Sequence, residues 1–299
     1  MQKVFVCLEI GGTHLRLGLV DDELNLLYFS KIPTEQLAKA VDKVEFLSRE
    51  FAFLIEQAGG IERVRALCLS LASLMDSRRR IVYSSPMISG FNDIPLADCL
   101  EEKFGLPVIM EKDVNLLLLY EVYRYNLPKD DIVSGIFLGT GLGNAICIDG
   151  KVYRGASGAA CELGHIPIPN EKRICGCGKP GCMELRTGGK LIQSLTQQHG
   201  WNINRLFVEH SDSIEVQDIL YHFALAVATE VTILDPAVVL IGGGVVEMEG
   251  FPLETVQKIV CQNVRAPYPR ETLQFVKASG DSEAGVVGAA IHAKQFFKI

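Results

Sequence analysis

Apolar and polar positions along this chain follow two different periods, and each change of period marks a new element. Short β-rich runs cover Val4 to Leu8 and Leu15 to Val20, joined by Gly11-Gly12-Thr13-His14, and a third run from Asn25 to Ser30 follows Asp21-Asp22. This reads as a meander. From Gln36 to Ala58 the apolar residues Leu37, Val41, Val44, Leu47, Phe51, Leu54 and Ala58 recur at helical spacing, and Gly59-Gly60 closes the segment. The spacing predicts one helix covering a sheet face. Ala66 to Leu71 and Leu106 to Met110 read as buried strands with a helix from Ile94 to Phe104 between them, and Leu116 to Tyr125 reads as a further helix.

A second unit then opens in the same way. Ile132 to Leu138 and Asn144 to Ile148 flank Gly139-Thr140-Gly141-Leu142-Gly143, again a strand, a glycine turn and a strand. Val216 to Leu234 is apolar at helical spacing through Ile219, Phe223, Val227 and Val231, ends at Asp235-Pro236, and feeds the strand Val238 to Ile241 before Gly242-Gly243-Gly244. A length of 299 residues suits two domains. With no low-complexity segment or linker, the domains are expected to meet across a cleft.

Composition narrows the class. The chain is 48% hydrophobic with a net charge of -7, and its one compact basic run, Arg78-Arg79-Arg80, reads as a solvated turn, so a nucleic-acid footprint is missing. No apolar segment is long enough to span a bilayer, and the amino end lacks a cationic leader and a cleavage site. Nine cysteines, an odd number without a framework of pairs, point to a reducing compartment, and the expected location is cytoplasmic.

Candidate chemistry gathers in four places. Cys175, Cys177 and Cys182, separated by glycines and following His165, supply three thiolates and an imidazole, a closed zinc shell that leaves no position for activated water. Such a clamp would fix loops and hold Glu162, His165 and Glu184 near one another. Three glycine turns at strand ends suit a nucleotide, because glycine permits positive φ and close approach while successive N–H groups form an anion nest. Thr13 and Thr140 would add hydroxyl donors. Any one turn alone reads better as a plain hairpin, three together in a repeated layout favour the nucleotide, and none matches a P-loop or a G-x-G-x-x-G helix opening. Asp113 follows a strand and precedes a helix, a position that suits either a general base for a sugar hydroxyl or a helix N-cap. Glu162 and His165, a turn apart, suit the paired hydroxyls of a polyol, while His14, His199, His210, His222 and His292 read as surface or core residues.

Nearly end to end, these motifs resemble the ROK family (repressors, open reading frames and sugar kinases). Glu9-Ile-Gly-Gly-Thr13 is similar to its first phosphate motif, Leu138-Gly-Thr-Gly-Leu-Gly143 to its second, and Ile241-Gly-Gly-Gly-Val245 to its adenosine motif. Glu162-x-Gly-His165 with the cysteine cluster ending in Glu184 is the family signature. The resemblance implies an α/β, actin-like or hexokinase-like (ribonuclease H-like) two-domain ATPase fold. One domain would cover residues 1–118 plus a returning C-terminal helix at 284–299, the other 119–283. It implies Asp113 as catalytic base and Ala72, Ser73, Lys112, Asp113, Glu162, His165 and Glu184 as sugar contacts. Glu9, Gly11, Gly12, Thr13, Thr140, Gly141, Gly243 and Gly244 would bind ATP with Mg2+, and His165, Cys175, Cys177 and Cys182 would bind structural zinc. A homodimer is the expected assembly.

Two positions depart from the family. Asp usually stands where this chain has Glu9, which bears on the magnesium contact. Asn usually precedes the base, whereas Lys112-Asp113-Val114-Asn115 resembles the basic-Asp-Val-Asn sequence of D-allose kinases. Lysine donates but cannot accept, so recognition of that hydroxyl must change. The implied activity is phosphorylation of D-allose at its 6-hydroxyl. The alternatives are another ROK hexose kinase (glucokinase, fructokinase or N-acetylmannosamine kinase), a sugar-binding protein without turnover, or a sugar-responsive repressor. ROK repressors carry a helix-turn-helix ahead of the kinase-like body, and here the first strand already begins at Val4.

Overall fold

A computed structural model describes residues 2–85 and 88–299. The chain divides into two compact units, residues 1–124, 154–160 and 281–299, and residues 125–153 and 161–280.

In the first unit β1 (Val4–Ile10), β2 (His14–Asp21) and β3 (Leu26–Pro33) form an antiparallel meander, followed by α1 (Thr34–Lys39) and α2 (Lys43–Gln57). The expected single helix is therefore two. Ala40 leaves the helical region at ψ 136°, Asp42 accepts a hydrogen bond from the Glu45 N–H as the N-cap of α2, and Val41 is fully exposed. A capping carboxylate at Asp42 gives the chain a second helix start, and this local signal overrides the apolar period. Then come β4 (Val64–Leu71), the short pair β5 (Leu74–Met75) and β6 (Val82–Ser84), α3 (Leu96–Phe104), β7 (Val108–Lys112) and α4 (Asp113–Arg124). The sheet order is β3-β2-β1-β4-β7, with β4 and β7 parallel to β1. All seven residues of β1 are buried, as expected of a central strand covered on both faces.

The second unit carries β8 (Ile132–Leu138), β9 (Leu142–Ile148) and β10 (Lys151–Val152), then α5 (Glu184–Thr187), α6 (Gly189–His199), α7 (Leu206–Glu209), α8 (Ile214–Leu234), β11 (Val238–Gly242), α9 (Leu253–Asn263) and β12 (Gln274–Lys277). Its sheet order, β10-β9-β8-β11-β12, repeats the first: an antiparallel meander on one side of the opening strand and parallel strands on the other. The last helix, α10 (Ala284–Phe297), belongs to the first unit, where it packs on α4 and β1. Gly288 permits that contact, since a Cβ there would overlap the Leu116 backbone. No helix among the described residues is long and apolar enough to cross a membrane.

Candidate active site

Within the first unit, the parallel strands β1, β4 and β7 end side by side at Ile10, Leu71 and Lys112. Gly11, Gly12 and Thr13 follow β1, Ala72 and Ser73 follow β4, and Asp113 follows β7, so these candidates share the carboxyl edge of three neighbouring strands, where open α/β sheets bind ligands. Asp113 is the first residue of α4, which begins three residues earlier than its apolar pattern suggests.

A polar row crosses this sheet just inside the edge. The register sets Arg16 opposite Glu9, Glu9 beside Ser70 and Ser70 beside Glu111. Glu9 is buried, its carboxylate 3.1 Å from the Arg16 guanidinium and packed over Gly285, where a Cβ would overlap it. The longer acid at this position is thus matched by a helix residue without a side chain. Burial raises the Glu9 carboxyl to about 7, Arg16 opposes the shift, and the neighbouring Asp113 charge adds to it.

Glu111 has no exposed side-chain surface and is held from several sides. Its Oε1 accepts from Arg79 Nε at 3.0 Å, Asn115 Nδ2 at 3.0 Å and the Lys112 N–H at 2.8 Å, and its Oε2 accepts from Arg154 Nε at 2.6 Å. Burial alone would raise this carboxyl, but the Arg79 and Arg154 guanidiniums outweigh it and leave it below its ordinary value. Arg79 also donates to the Gly158 carbonyl at 2.9 Å, and Lys112 Nζ to the Ala160 carbonyl at 3.3 Å, pinning segment 154–160 beside β7. His292 is buried and pushed down to about 4 by desolvation, so as a neutral ring it accepts at Nε2 from Arg154 at 2.8 Å.

The arginine triplet is therefore not a solvated turn. Arg79 is 4% exposed inside this network, and Arg80 pairs with Asp98 and Glu101. Glu111 and Arg154 carry no sequence assignment, and His292, read as a surface or core residue, is buried. An available signal was a lone acid closing the apolar run Val108-Ile-Met-Glu111, which needs a buried cation nearby.

In the second unit, the turn Gly139 to Gly141 follows β8, and Gly243 and Gly244 follow the adjacent parallel strand β11. Gly189 N–H and Lys190 N–H at the start of α6 donate to the carbonyls of Gly139 and Thr140, at 2.8 and 3.1 Å. Of the eight glycines in the three turns, Gly243 alone adopts positive φ, at 101°. Gly141 instead serves close approach, because a Cβ there would overlap the Glu184 carboxylate.

Glu184 also accepts from Cys175 Sγ at 3.1 Å, which joins the second glycine turn to the cysteine cluster. The ligand atoms of His165, Cys175, Cys177 and Cys182 all lie within 4.8 Å of one another, with Cys177 Sγ 3.6 Å from Cys182 Sγ and Cys175 Sγ 3.7 Å from His165 Nδ1. Zinc–sulfur bonds of about 2.3 Å in a tetrahedron set their sulfurs about 3.8 Å apart, so the four donors fit zinc. Burial, with Glu184 beside it, pushes the Cys175 thiol up to about 12, a cost that a bound dication reverses. His165 turns Nδ1 to the cluster and Nε2 to Glu162 Oε2, 3.7 Å away, leaving that nitrogen on the side of the other candidate sugar residue.

The family model of the ROK family matches residues 5–296. A glucokinase of Streptomyces coelicolor is 30% identical over 96% of this chain and 96% of its own length, and an N-acetyl-D-glucosamine kinase of Vibrio cholerae is 27% identical over 94% and 97%. Among solved structures, the ROK family glucokinase of Streptomyces griseus in complex with glucose and AMPPNP superposes with a TM-score of 0.80 at 28% identity, covering 98% of this chain and 99% of that one.

Proposed function

The chain belongs to the ROK family and is a sugar kinase with the hexokinase-like actin fold; from that premise we propose that it transfers the γ-phosphoryl group of ATP to the 6-hydroxyl of D-allose. The observation that carries the phosphotransfer reading is Asp113, which opens a helix at the carboxyl edge of three parallel strands with its neighbouring backbone held by the buried Glu111.

In this reading the 6-hydroxyl oxygen attacks the γ-phosphorus, its proton passes to the Asp113 carboxylate, and ADP departs with the electrons of the broken P–O bond. Positioning and charge neutralisation supply most of the acceleration, and Mg2+ bound with ATP would offset developing charge. The turns holding Gly11, Gly12, Thr13, Thr140, Gly141, Gly243 and Gly244 offer N–H and hydroxyl donors to the triphosphate, and the Glu9 carboxylate, an acceptor, is assigned to the Mg2+ that would accompany ATP. Ala72, Ser73, Lys112, Asp113, Glu162, His165 and Glu184 are assigned to the hexose. Zinc on His165, Cys175, Cys177 and Cys182 would keep the Glu162–His165 turn and Glu184 in place.

D-Allose is placed first because of Lys112. Lys112-Asp113-Val114-Asn115 resembles the basic-Asp-Val-Asn sequence of D-allose kinases, and the Lys112 ammonium, 3.3 Å from the Ala160 carbonyl, donates but cannot accept, so recognition of the facing hydroxyl changes. Glucose is the second reading, favoured by the relatives named as glucokinases. Coupled ADP release across allose, glucose, mannose, fructose and N-acetylmannosamine decides between them. The highest kcat/KM is expected for allose, and allose at background beside rapid glucose turnover overturns the specificity while leaving the kinase. Metal analysis is expected to give about one zinc per chain.

A further inference from the structure

Between Asp218 and Asp235 helix α8 carries one Asp, Glu, Lys or Arg, namely Glu230. That carboxylate is 5% exposed and lies against the sheet of the second unit. Ser134 and Asn144 reach it from the same sheet face, since Asn144 on β9 stands opposite Ile136 and Ser134 is two residues back on β8. Ser134 Oγ donates to Oε1, and Asn144 Nδ2 donates to Oε2 at 2.5 Å. The Asn144 amide is thereby fixed in orientation, with its oxygen turned the other way, where it accepts the Leu163 N–H at 2.8 Å.

Leu163 begins the short turn Leu163–His165 directly after Glu162. The same turn is pressed on β9 at Gly164, where a Cβ would overlap the Leu142 carbonyl. One side-chain bond and one close backbone contact thus anchor the turn between the two candidate sugar ligands.

We propose that Asn144, oriented by Glu230, is a positioning residue that sets the Glu162–His165 turn and through it the affinity for the hexose. The inference rests on the assignment of Glu162 and His165 to the sugar. Losing the bond to Leu163 N–H frees the turn to drift while leaving Asp113 and the nucleotide turns untouched, so the hexose KM moves and the ATP KM does not.

The test uses the full-length zinc-loaded enzyme, with hydrogen exchange at the Leu163 amide read beside steady-state kinetics. Asn144→Leu is expected to speed Leu163 exchange about tenfold and to raise the hexose KM about tenfold, as loss of one net hydrogen bond implies, with the ATP KM unchanged. Glu230→Leu follows in the same direction. Glu230→Gln restores both readouts, because its oxygen still accepts from Asn144 and its amide donates to Ser134 Oγ. Unchanged Leu163 protection in folded Asn144→Leu overturns the positioning role. Faster exchange with an unmoved hexose KM overturns the link to affinity and locates the fault in the sugar assignment. Should Asn144→Leu not fold, the Glu230 pair carries the test, and equal hexose KM for its Leu and Gln variants overturns the proposal.

Discussion

Two sheets of one strand order bury their carboxylates under different regimes. In the first, Glu111 meets two guanidiniums and stays ionised below its ordinary range, despite complete burial. In the second, Glu230 meets only a hydroxyl and an amide, and desolvation lifts it to about 7. Glu9 lies between them, with one arginine and a nearby Asp113, and also rises to about 7. Depth of burial therefore does not decide the charge of these acids; the count of buried cations does. Around Asp113, where the chemistry is assigned, the fixed charges are paired. Under the Glu162–His165 turn, assigned to recognition, the support is a neutral hydrogen-bond chain.

The largest separation of the two regions should appear in kinetics. Asp113→Asn is expected to lower kcat about 100- to 10,000-fold with little change in hexose KM, the size of a general base's contribution. Glu162→Gln should instead raise the hexose KM about tenfold with kcat nearly kept. Coupled ADP release at varied hexose checks both, and a reversed pattern would break the division of labour between the units.

Next in size is the charged network itself. Arg79→Met leaves Glu111 short of one cation in a fully buried place, and breaking a buried pair from one side costs about 3–5 kcal/mol. Urea unfolding of the variant should show that loss. A loss under about 1 kcal/mol would mean that Arg154 alone compensates Glu111.

The second region answers to pH rather than to a missing partner. The folded chain holds a proton on Glu230 up to about 7, while an unfolded carboxyl releases it at its ordinary 4.5. Between these values the folded state binds the extra proton, so stability falls as pH rises through the window. Glu230→Gln removes that titration while keeping the acceptor for Asn144. Measured by urea unfolding, the parent should lose on the order of 3 kcal/mol relative to Glu230→Gln between about pH 5 and pH 7.5. Glu9 titrates alike in both proteins and cancels from the difference.

What the sequence could reveal of this contrast depended on whether a local rule applied. The doubled strand–glycine–strand opening was readable because turns and apolar runs are local, and the two sheets do share their order. The zinc candidates were readable because the three cysteines sit within eight residues and leave little geometric freedom. Arg79 was misread because its partner Glu111 lies 32 positions away, and a triplet of arginines looks solvated until that partner is known. Glu230 and Asn144, 86 positions apart, gave one weak sign, a single acid in the stretch of α8 between Asp218 and Asp235. The break at Val41 was lost for the opposite reason, because a long apolar period hid the one-residue capping signal at Asp42.

The smallest expected effect also sharpens the comparison, because it concerns the same backbone conformation in both units. Arg79 and Cys161 each adopt positive φ, 57° and 64°. A non-glycine residue held there costs about 1–2 kcal/mol, and glycine relieves that strain at about 0.5–1 kcal/mol of extra unfolded-chain entropy. At Arg79 the relief is overwhelmed, since the side chain that glycine would delete is the partner of Glu111. At Cys161 the thiol's contact to the Tyr153 carbonyl, at 3.7 Å, is a weak one. Cys161→Gly should therefore stabilise the chain by about 0.5–1 kcal/mol, while Arg79→Gly destabilises it by several. The urea midpoints of the two variants should move in opposite directions from the parent, and a rise in both would mean that backbone strain, not the buried charge, governs position 79.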